Sequence, residues 1–139
     1  MHPVIRNIIA VIGGIFIGGV INMSLIYLGP MIIALPEGTD VTTKEGLELA
    51  MPFLKPQHYI FPFLAHAIGT LSGSIFAGIV AVSNRDRNAW IVGLFFLMGG
   101  VANVTMLPSP MWFNILDLGL AYIPMAYFGG KIGQHLTIK

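Results

Sequence analysis

Four long apolar runs, separated by shorter polar segments, dominate the chain. They cover about residues 8–34, 60–83, 89–107 and 111–130 of the 139 residues. Each run is close to the roughly 20 residues that an α-helix needs to cross the hydrocarbon core of a bilayer. Because backbone groups in lipid must be hydrogen-bonded within the segment, the pattern predicts four transmembrane helices. We therefore expect an all-α integral membrane protein with a single membrane domain over residues 1–139.

Prolines predict where these helices bend or end. Pro30 follows Gly29 and predicts a kink or an early end of the first helix. Pro62 lies in the first turn of the second helix, where a missing N–H costs little. Pro108 ends the third helix. Pro124 lies inside the fourth, so a neighbouring helix or side chain must cover the gap in its hydrogen bonds.

Residues 6–24 and 87–105 resemble each other. Seven of the nineteen aligned positions are identical, among them the glycine pairs Gly18-Gly19 and Gly99-Gly100, where about two identities would arise by chance. This similarity indicates a tandem duplication of a two-helix hairpin. The first hairpin covers about residues 6–83 and includes an outer loop at 35–59, and the second covers about 87–131. Since each copy crosses the membrane twice, we expect a parallel repeat about a pseudo-twofold axis along the membrane normal.

Composition supports a membrane protein and argues against a nucleic-acid partner and against cysteine-based sites. Charged residues make up 9% of the chain and hydrophobic residues 55%, whereas a soluble domain carries about 25% charged residues. The net charge of +1 gives no reason to expect a nucleic-acid partner. The chain has no cysteine, which excludes disulfides, thiolate metal sites and cysteine nucleophiles.

Basic residues predict the orientation. Five of the seven fall on one side of the predicted helices, and only two fall on the other, in loop 35–59. The five are Arg6, Arg85, Arg87, Lys131 and Lys139, and the two are Lys44 and Lys55. The positive-inside rule therefore predicts both termini in the cytoplasm and loop 35–59 outside. We expect the membrane to be a bacterial inner (cytoplasmic) membrane.

Loop 35–59 contains a predicted short helix. Thr42 and Glu45 have the spacing of a capping box, with Thr42 at the N-cap. The helix would continue to about Met51 and stop at Pro52. The loop is either a lid over a site that opens outward or a plain connector, and most loops are connectors.

The strongly polar side chains within the predicted helices share a depth. Asn22, His66, Asn103 and Asp117 each lie about 6–10 Å inside the outer end of their helix at 1.5 Å per residue. All four therefore fall in the outer third of a core about 30 Å thick. Neighbouring small residues place them on faces where helices approach closely. We predict an outward polar pocket, formed by these four residues with Thr70 and Asn114 as neighbours on the same helix faces.

Asp117 is the strongest functional candidate of the six. A carboxylate near the middle of a membrane costs about 2.5–3.5 kcal/mol on insertion scales. We expect His66 to be its partner, and a His–Asp pair whose protons can move suits proton coupling or quinone chemistry. The alternative is a purely structural buried pair, with Asn22 and Asn103 as hydrogen-bonding contacts between helices. One His, one Asp and two Asn make a poor transition-metal site. The sequence leaves the cofactor unknown and identifies no catalytic residue.

Three functions remain open from the sequence. The first is binding of a small polar solute, an ion or a quinone head group. Proton-coupled transport through this pocket would need a homo-oligomer, because four closely packed helices leave no wide pore. The second is an accessory subunit of a larger membrane complex. The third is a membrane enzyme that acts on a lipid or a quinone.

Overall fold

The computed structural model describes residues 2–137, and it confirms an all-α protein, with no strand in that range. The six helices are α1 (Pro3–Ile32), α2 (Lys44–Ala50), α3 (Ile60–Val80), α4 (Arg85–Met106), α5 (Met111–Leu120) and α6 (Ile123–Thr137). Two short 3-10 turns lie between α2 and α3, at Met51–Phe53 and Pro56–Tyr59. Three segments, Pro3–Ile32, Pro56–Val80 and Arg85–Met106, are long and apolar enough to cross a membrane.

The predicted fourth helix is divided into two. We expected one helix over residues 111–130, but α5 has ten residues and α6 has fifteen. The helix is interrupted at Ala121 and Tyr122. Pro124 explains the interruption, because it has no N–H to donate to the carbonyl of Leu120, four residues earlier. Pro30, by contrast, lies within α1 and does not end it.

Helix α3 packs against α1 through paired glycines. A Cβ atom at Gly18 would lie 2.5 Å from the carbonyl oxygen of Gly69, and one at Gly73 would lie 2.5 Å from that of Gly14. The two backbones are therefore in direct contact, as in other membrane helix pairs that meet through small residues.

The opposite side of α3 packs against α6 in the same way. A Cβ atom at Gly129 would lie 2.7 Å from the carbonyl oxygen of Leu71, and one at Gly133 would lie 2.5 Å from that of Ile75. Helix α3 is therefore enclosed between α1 and α6, and its His66 lies inside the bundle rather than at its edge.

The two glycine pairs that define the sequence repeat are packed differently. A Cβ at Gly18 would touch Gly69, whereas one at Gly19 would have no heavy atom within 4 Å. In α4 the order is reversed, since Gly99 is open and a Cβ at Gly100 would lie 2.5 Å from the ring of Tyr122. The aligned copies thus present different helix faces to their neighbours, and the parallel repeat stays a prediction from the sequence.

Four of the five predicted cytoplasmic basic residues lie at one end of the bundle, which we call the turn end (residues 2–7, 80–88 and 131–137). Arg6 Nε donates to the carbonyl of Val80 at 2.9 Å, and Lys131 Nζ lies 3.6 Å from the carboxylate of Asp86. Arg85 and Arg87 flank Asp86 at the start of α4. Lys139 lies outside the described residues.

Candidate functional site

A cavity of about 240 Å³ lies at the other end of the bundle, beneath loop 35–59. Its walls come from the last turns of α1, the first turns of α3, the end of α4, the start of α5 and the loop. Most of the lining side chains are apolar; examples are Ile26, Phe61, Val104, Leu107 and Phe113. The site is therefore a mainly apolar chamber with a few polar groups.

His66 and Asp117 line this cavity and contact each other directly. The imidazole Nδ1 lies 2.9 Å from each carboxylate oxygen. Asp117 is 3% exposed, and the side chain of His66 is 13% exposed. An ionised carboxylate only accepts hydrogen bonds, so Nδ1 carries a proton when Asp117 is charged. The contact therefore fixes the ring and leaves Nε2 as the nitrogen available to another molecule.

Tyr122 completes the cluster, and the sequence analysis missed it. Its hydroxyl donates to Asp117 Oδ2 at 3.0 Å, and its ring stacks on that of His66 with centroids 5.6 Å apart. In a continuous helix, Tyr122 would lie about 140° around the axis from Asp117. The interruption at Ala121 and Tyr122 changes that direction, and Pro124 was the only sequence signal for it.

The other predicted site residues divide into two groups. Asn103 and Asn114 line the cavity with His66 and Asp117. The carboxamide of Asn114 is held by Ser109, whose hydroxyl donates to Asn114 Oδ1 at 2.6 Å. Asn22 lies against Gly69 on α3 and does not line the cavity.

Thr70 also lies away from the cavity lining. It is completely buried, and its hydroxyl has no hydrogen-bond partner among residues 2–137. The structure thus brings together four of the six predicted residues, namely His66, Asn103, Asn114 and Asp117.

Loop 35–59 forms the outer wall of the cavity. Leu35, Val41, Leu47, Met51 and Leu54 line it from this side. His58 connects the end of the loop to the segment that follows α1 through hydrogen bonds of its imidazole. Its Nδ1 accepts from the backbone N–H of Lys55 at 2.8 Å, and its Nε2 lies 3.1 Å from the carbonyl of Ala34. The loop therefore covers one side of the cavity.

The helix in this loop begins one residue later than predicted. Thr43, rather than Thr42, is the N-cap of α2, and its hydroxyl accepts from the backbone N–H of Gly46 at 3.0 Å. Thr42 is engaged elsewhere, because its hydroxyl and backbone N–H both donate to Asp40. These two bonds lower the pKa of Asp40, with the hydroxyl as the larger cause.

Within the described residues, no three His, Asp or Glu side chains are close enough to share a metal ion. Comparison of the chain with protein-family models, curated proteins and solved structures gives no match. The chemistry of the site therefore has to follow from its own residues. It offers a buried, proton-carrying His–Asp–Tyr cluster at the edge of an apolar chamber.

Proposed function

We propose that this chain is an inner-membrane protein that binds a small amphipathic molecule in the cavity, with its hydrogen-bonding head at His66. The observation that carries the proposal is the position of the His66–Asp117 pair on the wall of a mainly apolar cavity. Ligand sites in proteins commonly combine apolar walls with a few placed polar groups that set the orientation of the ligand.

Among the ligand classes left open by the sequence, a quinone head group fits these walls best. An ion or a strongly polar solute would lose its hydration against Ile26, Leu107 and Phe113 with few groups to replace it. A quinone ring is flat and largely apolar, and its carbonyl oxygens accept hydrogen bonds. With Nδ1–H directed at the Asp117 carboxylate, His66 Nε2 can donate to such an oxygen when the imidazole carries both protons.

Ligand binding is a better supported function than transport through a single protomer. At the level where Gly14 meets Gly73, α1 and α3 are too close for a Cβ atom, so no passage runs between these two helices. Proton-coupled transport by a homo-oligomer is therefore a separate candidate from binding.

We further propose four membrane crossings, with both termini in the cytoplasm. Helices α5 and α6 together contain 25 residues, ten and fifteen, enough to cross once despite the interruption. The grouping of basic side chains at the turn end supports this orientation. Since the chain has no cysteine, single cysteines at Lys44 and Lys131 can be tested in intact cells with a membrane-impermeant thiol reagent. The proposal requires labelling at 44 and protection at 131; the reverse pattern would invert the orientation.

Tryptophan fluorescence gives a direct test of quinone binding. The ring of Trp112 lies 5.5 Å from that of Tyr59, a cavity residue. Substitution W90F removes the other tryptophan of the chain and leaves Trp112 as the reporter. A benzoquinone with a short alkyl tail should then quench the emission of the purified protein saturably. A linear, non-saturating response would count against a specific site.

The decisive variant is Asp117→Asn in the W90F background. The amide keeps the shape of the side chain but removes the carboxylate that both His66 Nδ1 and the Tyr122 hydroxyl contact. We expect Kd to rise about tenfold or more, corresponding to about 1.4 kcal/mol, with an unchanged helical circular dichroism spectrum. An unchanged Kd would remove His66–Asp117 from the binding site.

A further inference from the structure

Tyr59 is another polar residue on the cavity wall, and the proposed function gives its hydroxyl no role. It closes the 3-10 turn that leads into α3 and is 4% exposed. Its ring packs against Phe113 at 4.8 Å and edge-on against Trp112 at 5.5 Å. The ring is therefore fixed from two sides.

The hydroxyl of Tyr59 is buried and has no hydrogen-bond partner among residues 2–137. Buried polar groups in folded proteins are nearly always paired, and an unpaired one carries a desolvation penalty. A tyrosine of the interfacial belt would instead keep its hydroxyl at the polar boundary. Anchoring in such a belt therefore does not account for the burial of the oxygen.

The location of Tyr59 relative to His66 suggests a partner for that hydroxyl. Both residues line the cavity, and Tyr59 ends the 3-10 turn directly before α3, about two helical turns ahead of His66. Asn114, another polar lining residue, is already engaged with Ser109. Tyr59 and His66 are therefore two hydrogen-bonding groups at different heights along one wall of the chamber.

We propose that the Tyr59 hydroxyl donates a hydrogen bond to a second acceptor on the ligand, at the end away from His66. This inference rests on the proposed function and narrows the ligand to a flat, largely apolar molecule with two opposed acceptors. The para carbonyls of a benzoquinone have this arrangement. Tyr59 is then a binding residue whose unpaired hydroxyl gains its partner when the ligand enters.

The test compares Tyr59→Phe with Tyr127→Phe in the W90F protein, with the short-tailed benzoquinone as the probe. Tyr127 is exposed on α6 and does not line the cavity, so its variant controls for the loss of a phenol. We expect Tyr59→Phe to raise Kd by about 3- to 30-fold, the range for one lost hydrogen bond to a neutral group and its desolvated partner. The melting temperature without ligand should not fall, since the hydroxyl has no partner to lose. Tyr127→Phe should change neither quantity.

Infrared spectroscopy supplies a second measurement that packing alone would not change. In the wild-type complex, both carbonyl stretches of the bound quinone should shift to lower frequency, and in Tyr59→Phe one should return toward its value in an apolar solvent. Saturable binding with unchanged Kd and two shifted bands in Tyr59→Phe would overturn this inference and leave the proposed function intact. Absence of saturable binding in the wild type would overturn both.

Discussion

The imidazole Nδ1 of His66 lies 2.9 Å from both carboxylate oxygens of Asp117, which is 51 residues further along the chain. The pair joins the second predicted hairpin to the first, because His66 lies on α3 and Asp117 on α5. Burial of a carboxylate without a hydrogen-bond partner costs free energy. Here the carboxylate oxygens of Asp117 contact His66 Nδ1 and accept from the Tyr122 hydroxyl. Both oxygens of this buried carboxyl group therefore have hydrogen-bond partners next to an apolar cavity.

Substitution of Tyr122 by Phe should destabilise the protein through Asp117. The phenyl ring retains the stacking on His66 and the contact with Gly100, but one carboxylate oxygen loses its donor. We expect a loss of about 1.5–3 kcal/mol, the usual contribution of a hydrogen bond to a charged group. The free energy of unfolding in mild detergent measures the effect, and Tyr127→Phe, on α6, is the control. Equal stability of the two variants would contradict the role given to this bond.

Alanine at the repeated glycines should give opposite patterns in the two helices. In α1 we expect Gly18→Ala to destabilise by about 1–3 kcal/mol through overpacking, whereas Gly19→Ala has free space. In α4 the sensitive position should be Gly100 and the tolerant one Gly99. Thermal unfolding of the four variants tests this. Sensitivity at Gly99 instead of Gly100 would restore the equivalence of the two copies that the sequence suggests.

Replacement of His58 by Ala should loosen the wall that loop 35–59 forms. The change removes the two hydrogen bonds that join Lys55 and Ala34 through the imidazole. We expect faster amide hydrogen exchange in loop 35–59 and faster dissociation of a bound quinone, with little change at the turn end. Gln57→Ala, at an exposed neighbouring position, is the control. Identical exchange in both variants would show that His58 does not hold the loop.

The pH response of Asp40 should depend on Thr42. The Thr42 hydroxyl and backbone N–H both bond to the carboxylate and lower its pKa. A lowered pKa in the folded state stabilises the loop above the ordinary pKa of aspartate, and that contribution disappears as the pH falls through the folded value. In Thr42→Val the pKa should rise but stay below the ordinary value, because the backbone bond remains. A carboxyl NMR titration measures it, and an unmoved pKa would contradict the assignment.

Much of the architecture can be predicted from the sequence because it depends on local properties. Helix α3 begins close to the expected residue, with Pro62 in its first turn as expected. The partnership of His66 with Asp117 follows from their equal depth and from the cost of leaving Asp117 alone. Helix length and apolar content, which set these expectations, do not depend on how the helices pack.

The rest of the candidate site depends on the direction in which each side chain points, and hydropathy does not encode that direction. Asn22 has the right depth but lies against Gly69, since the rotation of α1 is set by its glycine contacts. Tyr122 reaches Asp117 only because the helix is interrupted. Thr43 rather than Thr42 is the N-cap of α2, since Thr42 is hydrogen-bonded to Asp40.

The sequence by itself determined an all-α chain with helices apolar enough for a membrane, because length and composition act residue by residue against the surrounding medium. Only the tertiary structure decided which polar groups share a cavity and that loop 35–59 covers it. Depth along a helix is fixed by counting residues, whereas the direction of a side chain depends on the rotation, contacts and interruptions of each helix.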